Sequence, residues 1–447
     1  MESQSVSDHS SEADILIEAI NLMLPSGTGI ATYTRTLAQV LSSLGFELRA
    51  LLESHRAASR TDPELSEIGL FDAEPPPSLA RSIKTEWRRI TALPISVVPI
   101  NVSKPSVVAS PISKALSSFS GLSIVPHLVE REQAHFRRYG HRLMLKFDRP
   151  PRLFHATRPA PLAVRGCPNI YTIHDIVPLR LPATTADDKK YVLHMIRDLC
   201  ARADHIVTVS EFSRQDIIRF TGIDEGRITN TYQSVEIPRD LAERDESVVA
   251  RDIAALFGLE MRGYFLFVGA LEPKKNVSRL IDAHAASGSK YPLILTGSAG
   301  WMNEDIIKKI NDERFLTYEM NGSRITRRRS VRQLPYLPPD HLISLIRGAR
   351  ALMFPSLYEG FGLPVLEAML LGTPVLTSNA SSLQEIAKDA AVLVDPYDLE
   401  AITRGLRQLD SDADLRAELI RRGRERAKAF SVERYAERID ALYKSLI

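Results

Sequence analysis

Apolar residues in this 447-residue chain come in two textures. Short unbroken runs bounded by Gly, Pro, Asn or Asp read as strands buried on both faces. Longer stretches with apolar residues three and four apart read as amphipathic helices. Residues 15–22 (ILIEAINL), 153–157 (LFHAT), 169–175 (NIYTIHD) and 205–210 (HIVTVS) are of the first kind. A turn at 25–29 leads into a helical pattern over 30–44, and a helix over about 186–203 separates the last two strands. From Gly263 the alternation starts again. Strands are expected at 264–270 (YFLFVGA), 292–297 (PLILTG), 351–356 (ALMFPS) and 392–396 (VLVDP), with helices at 277–286 and 342–349. Strands alternating with helices in two blocks, joined near 236–262, predict an α/β protein of two Rossmann-like domains. The first spans 13–240 and the second 255–428; the closing segment 429–447 carries an amphipathic helix over 429–443. Residues 1–12 are polar and acidic and are expected to be disordered. Residues 55–80, with Pro75, Pro76 and Pro77, read as an irregular surface loop, and 81–150 mix basic helical patterns with Pro and Ser breaks.

The length suits two or three domains, and 44% hydrophobic residues suit globular cores. A net charge of +2 gives the chain as a whole no reason to bind nucleic acid. The distribution is uneven: residues 81–166 carry fifteen Lys/Arg against four acids, a local +11. Such a segment is either a solvated face or a surface that meets anionic lipid, phosphate or an acidic acceptor. Cys167 and Cys200 have no partners at metal-ligand spacing, and without a secretory pattern they read as reduced cytoplasmic thiols. No apolar stretch reaches the roughly 18 residues needed to cross a bilayer, so any membrane contact is expected to be peripheral, at the inner face.

The densest chemistry lies in 356–377, SLYEGFGLPVLEAMLLGTPVLT. Glu359 sits in a glycine loop, and Glu367, with seven residues between them, in the first turns of a helix. Pro364 suits the first helical position, Gly372 the position just past the end, and Pro374 the stop. The amides of Gly360, Phe361, Gly362 and Leu363 are then free and point outward at the helix start, a site for anionic or hydroxyl-rich ligands. Two solvated carboxylates on a strand-loop-helix unit would give the same spacing.

Three further constellations stand at strand ends. Gly27 and Gly29 (PSGTGIATY, 25–33) let the backbone approach a ligand closely. That loop is not G-x-G-x-x-G, and no acid closes a clear second strand, which argues against a dinucleotide oxidoreductase; a plain tight turn is the other reading. Lys274 and Lys275 (GALEPKKN, 269–276) stand where two ammonium groups could neutralise a diphosphate leaving group, although a lysine pair on a surface loop is otherwise only solvated. His174 and Asp175 (TIHDIVPL, 172–179) stand at a strand's C-terminal end, where open α/β sheets bind ligands, although a lone His there is otherwise structural. Asp410, Asp412 and Asp414 alternate like a metal motif, but helix capping explains them, and no metal site is expected. Arg327, Arg328 and Arg329 read as a solvated rim or as a contact to phosphate.

The string at 356–377 resembles the E-x(7)-E segment of the family 4 glycosyltransferases, retaining enzymes with the GT-B fold. GALEPKKN resembles that family's diphosphate-binding element, with Lys274 where Arg is common. The His-Asp pair, VTVSEFS (207–213) and the G-x-G-I loop are similar as well. The resemblance is clear at 15–45 and 153–182, strong over 205–397 and weak over 55–150. It departs at 231–234 (TYQS), where an Asn-Gly pair is usual.

The resemblance implies two domains facing across a cleft, with the last helix crossing back onto the first domain. The donor would sit mainly in the second domain and the acceptor in the first. His174, Lys275 and Glu359 become the catalytic candidates. Glu359 and the amides of Gly360–Leu363 would meet the sugar and its phosphates, Glu367 the ribose, and Lys274 and Lys275 the diphosphate. Asp175, Gly27 and Gly29 would complete the donor site. No cofactor or metal is expected, because the lysines would supply the charge. The implied reaction is retaining transfer of a hexose to a hydroxyl of a glycan or lipid-linked acceptor in surface polysaccharide biosynthesis. GDP-mannose is the favoured donor, with UDP-sugars and dTDP-rhamnose open. A GT-B epimerase or phosphorylase, or a non-catalytic GT-B subunit, are the rival readings.

Overall fold

Runs that are apolar on both faces become central parallel strands, buried at every position over Phe265–Val268 and Ala351–Phe354. The computed structural model describes residues 14–24, 29–54, 68, 70, 97–102, 115–298, 300–321 and 324–447. The expected disordered tail, the irregular loop at 55–80 (except 68 and 70) and Gly27 therefore lie outside the described residues.

In chain order the N-terminal strands are β1 (Asp14–Glu18), β2 (Glu47–Ser54), β3 (Ile100–Val102), β4 (Gly121–Pro126), β5 (Leu143–Leu145), β6 (Leu153–Ala156), β7 (Leu162–Val164), β8 (Asn169–Thr172), β9 (His205–Thr208) and β10 (Ile228–Asn230). Eight of them form one sheet in the order β10-β9-β8-β6-β1-β2-β4-β3, and β5 pairs with β7 beside it. The pairings of the large sheet are parallel except β3 with β4. The C-terminal strands are β11 (Phe265–Val268), β12 (Leu293–Thr296), β13 (Leu316–Asn321), β14 (Arg324–Arg329), β15 (Val331–Leu334), β16 (Ala351–Phe354), β17 (Val375–Ser378) and β18 (Val392–Val394). Six of these make an all-parallel sheet in the order β15-β12-β11-β16-β17-β18. Strand order reverses between β1 and β6 in the first sheet and between β11 and β16 in the second. Those two points are where doubly wound sheets open a crevice at their carboxyl ends.

The last helix, Val432–Leu446, packs against the first, Gly29–Ser43, and so crosses back onto the N-terminal half. It buries Tyr435, Ile439, Leu442 and Tyr443, and the Tyr443 hydroxyl lies 2.6 Å from His155 Nδ1. The halves also meet directly. Tyr358 donates to Asp216 at 2.6 Å, and the Glu385 carboxylate accepts from the N–H groups of Glu211 (3.0 Å) and Phe212 (2.9 Å).

Several expectations shift. The first strand stops at Glu18, and Ile20–Met23 form a 3-10 turn, because the chain leaves the sheet at its carboxyl edge there. Arg327, Arg328 and Arg329 lie within β14, which pairs antiparallel with β13 and leads into β15. The +11 of 81–166 is neutralised in part where it is described, while Lys146, Arg149, Arg152 and Arg165 stay exposed with no carboxylate at ion-pair distance among the described residues. Arg137 pairs with Asp188 (2.7 Å), Arg142 with Asp198 (3.3 Å), and Arg158 with Glu18 (3.3 Å) and Glu132 (2.8 Å). Those carboxylates are mostly supplied from elsewhere in the chain, which a local charge count cannot register. Asp412 caps the helix Ala413–Ala427 by accepting from Leu415 N–H at 2.8 Å, and Asp410 pairs with Arg350 at 3.2 Å, so the alternating acids have structural work.

Candidate active site

At the reversal point of the second sheet, β11 feeds the loop 269–276 and β16 feeds the loop 355–362. Backbone and side-chain bonds tie the two loops together. Leu357 N–H donates to the Lys274 carbonyl at 2.8 Å. The Asn276 amide donates to the carbonyls of Pro355 (3.0 Å) and Pro396 (2.7 Å), and Asn276 itself holds φ 60. This arrangement puts Lys275 Nζ 2.6 Å from Glu359 Oε1 and 5.1 Å from the Phe354 ring centroid. Burial works to push the Glu359 carboxyl up, but Lys275 and Lys274 outweigh it and hold the group below its ordinary value. Burial likewise opposes the Lys274 charge, but Asp175, Glu359 and Glu272 raise it above the ordinary lysine value. The backbone of Glu359 is fixed from the helix Ser381–Ala387: its N–H donates to Ser381 Oγ at 3.1 Å, and its carbonyl accepts from Ser382 Oγ at 2.9 Å.

The helix Leu363–Leu370 follows. Leu363 occupies the first position and Pro364 the second, one later than expected. Gly362 makes the turn into it with φ 105, and Gly372 ends it with φ 73. The N–H groups of Gly360, Phe361, Gly362 and Leu363 have no hydrogen-bond acceptor among the described residues. They do not open outward to solvent, however: Gly360, Phe361 and Gly362 are buried, because the other half presses on the loop. A Cβ on Gly360 would stand 2.4 Å from the His174 carbonyl oxygen. Glu367 faces no cation among the described residues, and burial pushes its carboxyl up to about 7.

The opposite wall comes from the ends of β6 and β8. His174 Nε2 lies 2.8 Å from the Thr157 carbonyl, so this nitrogen carries the proton and donates. Burial lowers the His174 pKa below its ordinary value, against the pull of the Thr157 carbonyl and of Asp175. The ring is therefore neutral near pH 7, with Nδ1 left as an acceptor. Tyr33 meets it edge-on at 4.9 Å. Behind it runs a buried chain: Tyr33 OH to Thr172 Oγ1 (2.8 Å), Thr172 Oγ1 to His155 Nε2 (2.8 Å), His155 Nδ1 to Tyr443 OH (2.6 Å). Asp175 accepts from Val177 N–H at 3.1 Å. Gly29 begins its helix facing the second half: a Cβ there would lie 3.7 Å from Leu363 Cδ1.

The structure thus brings His174, Asp175, Lys274, Lys275, Glu359 and Gly360–Leu363 around one junction. Sequence reasoning missed Ser213, whose hydroxyl donates to the His174 carbonyl (2.9 Å) and lies 3.3 Å from the Gly360 carbonyl, joining both halves. In the sequence it is one more serine in the first turn after the N-cap Ser210, and nothing local marks it. It also missed the buried Glu18–Arg158–Glu132 cluster at the reversal point of the first sheet, where burial pushes the Glu132 carboxyl up to about 7.

Two family models match this chain: Glycosyltransferase Family 4 over residues 27–237 and Glycosyl transferases group 1 over residues 252–426. The O-antigen chain mannosyltransferase B of Escherichia coli is 35% identical over 285 residues, covering 62% of this chain and 70% of that protein. The chain belongs to the family 4, group 1 glycosyltransferases. This glycosyltransferase is also 29% identical over 255 residues to the serotype-specific mannosyltransferase WbdA of Escherichia coli, across 55% of this chain but 29% of that protein. Its fold is that of Anabaena HepE, solved in complex with UDP and glucose, with a TM-score of 0.65 over 97% of this chain and 100% of that one at 14% identity. The glycosyltransferase is therefore a two-domain GT-B enzyme, and the crevice between its two reversal points is the candidate active site.

Proposed function

We propose that this glycosyltransferase retains configuration and moves mannose from GDP-mannose to a hydroxyl of a glycan or lipid-linked acceptor, without a metal ion, at the cytoplasmic face where a surface polysaccharide is assembled. The Lys275–Glu359 pair opposite His174 is the observation that carries this reading. A diphosphate entering the crevice draws the Lys275 ammonium away from Glu359. The released carboxylate then accepts from a sugar hydroxyl. Lys274, Lys275 and the unpaired amides of Gly360–Leu363 stabilise the departing diphosphate as its charge develops. The neutral His174 offers Nδ1 to the sugar, and the leaving phosphate takes the acceptor proton on the same face. The Glu367 carboxylate receives the two ribose hydroxyls. The pressed contact between Gly360 and His174 excludes water, which favours transfer over hydrolysis. Mannose is favoured because relatives that are named as mannosyltransferases match 62% and 55% of this chain.

Among the described residues no helix is long and apolar enough to cross a membrane. Of the described cations of 81–166, Lys146, Arg149, Arg152 and Arg165 are exposed and have no carboxylate at ion-pair distance among the described residues, so they offer a basic contact to an acidic acceptor or an anionic lipid surface. Pelleting with anionic vesicles tests the membrane alternative.

The deciding experiment is a panel of nucleotide sugars assayed with chelator present, alongside calorimetry with GDP, UDP and dTDP. GDP and GDP-mannose are expected to bind, and GDP-mannose to turn over. Tighter binding of UDP or dTDP would reassign the donor, and a folded sample that binds no nucleotide would sink the enzyme reading.

A further inference from the structure

A cavity of about 690 Å³ lies at the junction of the two halves, and none of the active-site candidates lines it. The helix Glu211–Thr221 contributes Ser213 to the active-site crevice and Phe212, Asp216 and Arg219 to the cavity, so the two spaces share a wall. Five cations line the cavity. Arg180 and Arg219 come from the N-terminal half, Lys388 and Arg426 from the C-terminal half, and Arg438 from the last helix.

Only Arg180 has a carboxylate at ion-pair distance, Asp216 at 3.3 Å; the other four have none among the described residues. Arg426 donates to the carbonyls of Ile386 (2.9 Å) and Glu385 (2.8 Å). Arg438 donates through Nη2 to the Ala429 carbonyl (3.2 Å), and its Nη1 is buried with no hydrogen-bond partner. The three acids in the wall are already engaged. Asp216 holds Tyr358 and Arg180, Glu385 holds the Glu211 and Phe212 amides, and Glu211 holds Arg214 (3.0 Å) and Gln215 (2.8 Å). The guanidinium groups are held in place on aromatic rings, Arg426 over Phe430 at 4.7 Å and Arg438 over Tyr232 at 5.0 Å. Two wall residues keep an unfavourable backbone, Tyr232 with φ 57 and Lys388 with φ 47. Burial lowers both Arg426 and Arg438 below their ordinary basicity, as expected of cations that lack a counter-ion.

We propose that this cavity binds a phosphate- or diphosphate-bearing small molecule, and that the bound anion bridges the two halves of the enzyme. Pre-oriented guanidinium forks match phosphate oxygens in pairs. The volume falls within the roughly 300–1,000 Å³ that small-ligand sites occupy. The aromatic rings offer a face to an attached base or sugar.

The test is calorimetry on the full chain with inorganic diphosphate. Because diphosphate also suits Lys274 and Lys275, it is run in a Lys275→Ala background. Binding is expected to persist there and to weaken at least about tenfold when Lys388→Gln and Arg438→Gln are added. Titrations with inorganic phosphate and with GDP then separate a free anion from a nucleotide as the source. Should the Arg438 substitution unfold the protein, Arg219→Gln with Lys388→Gln, both exposed, is read the same way after circular dichroism. Diphosphate binding that vanishes in Lys275→Ala alone, or that ignores the cavity substitutions, overturns the proposal.

Discussion

Lys275 Nζ lies 2.6 Å from Glu359 Oε1, a pair formed by two loops 84 residues apart. Each member justifies the burial of the other, and together they hold a charge pair where a donor diphosphate and sugar would meet. Removing the cation leaves Glu359 with Lys274 as its remaining neighbour. Lys275→Ala is therefore expected to lower kcat about 10²- to 10³-fold, the usual loss for a donor aimed at developing charge. Circular dichroism should stay native. Initial rates on the best donor of the panel check this, and a fully active variant would refute the phosphate role of Lys275.

As the proposed ribose acceptor, Glu367 is expected to make nucleotide binding pH-dependent. Burial pushes its carboxyl up to about 7, and no cation among the described residues offsets it. Accepting two hydroxyl hydrogens requires the ionised form. Donor affinity should therefore weaken as pH falls through 7, by about tenfold at pH 6, with a proton released on binding. Glu367→Gln should flatten the profile. The folding linkage has the opposite sign: a carboxyl raised on folding destabilises the native state above pH 7 and ceases to do so toward pH 4.5. Glu367→Gln should thus raise the melting temperature at pH 8 while weakening nucleotide binding. Calorimetry in buffers of different ionisation enthalpy and a melting series read both effects.

His155 and Tyr443 bind the last helix to the first sheet. Tyr443→Phe strands a buried ring nitrogen and is expected to lower stability by about 1–3 kcal/mol in urea denaturation. Burial also holds His155 down to about 3, far below its unfolded value of 6.5. Unfolding then takes up a proton, so this residue's share of stability is present above pH 6.5 and is lost progressively as pH falls toward 3. His155→Gln should make the acid limb of the stability curve less steep; an unchanged limb would remove His155 from the account.

Much of this architecture is legible in sequence because parallel strands are buried on both faces. Leu293–Thr296 and Ala351–Phe354 are continuous runs that no amphipathic helix would imitate. The active-site loops are legible for another reason: Gly362, Gly372 and Pro364 report backbone geometry one residue at a time. What stays hidden depends on distant partners. The basic run 81–166 cannot disclose that Asp188 and Asp198 neutralise Arg137 and Arg142. The β13–β14 hairpin is masked by its charges, since Arg324–Arg329 alternates little and contains four arginines. Ser213 joins the two halves only because helix and loop converge in space. Tyr232, in the stretch 231–234, holds φ 57 between Phe430 and Arg438, which no local signal announces.

Gly360 sets how closely the halves approach. The atom nearest to a Cβ at this position would be the His174 carbonyl oxygen, at 2.4 Å, with the His174 carbonyl carbon at 3.0 Å. These are backbone atoms that cannot rotate aside, so the methyl group of an alanine must hold the two loops apart. The Ser213 bridge to both carbonyls would open with them. The clash is confined to the two facing loops, so the melting temperature of Gly360→Ala should change by only a few degrees. Its kcat should fall at least about 10²-fold, because misplacing reacting groups by about 1 Å is enough for such a loss. Small-angle scattering with saturating nucleotide should show a larger radius of gyration than the parent enzyme. Equal compaction with full activity would mean that the contact between Gly360 and His174 is not part of the catalytic arrangement.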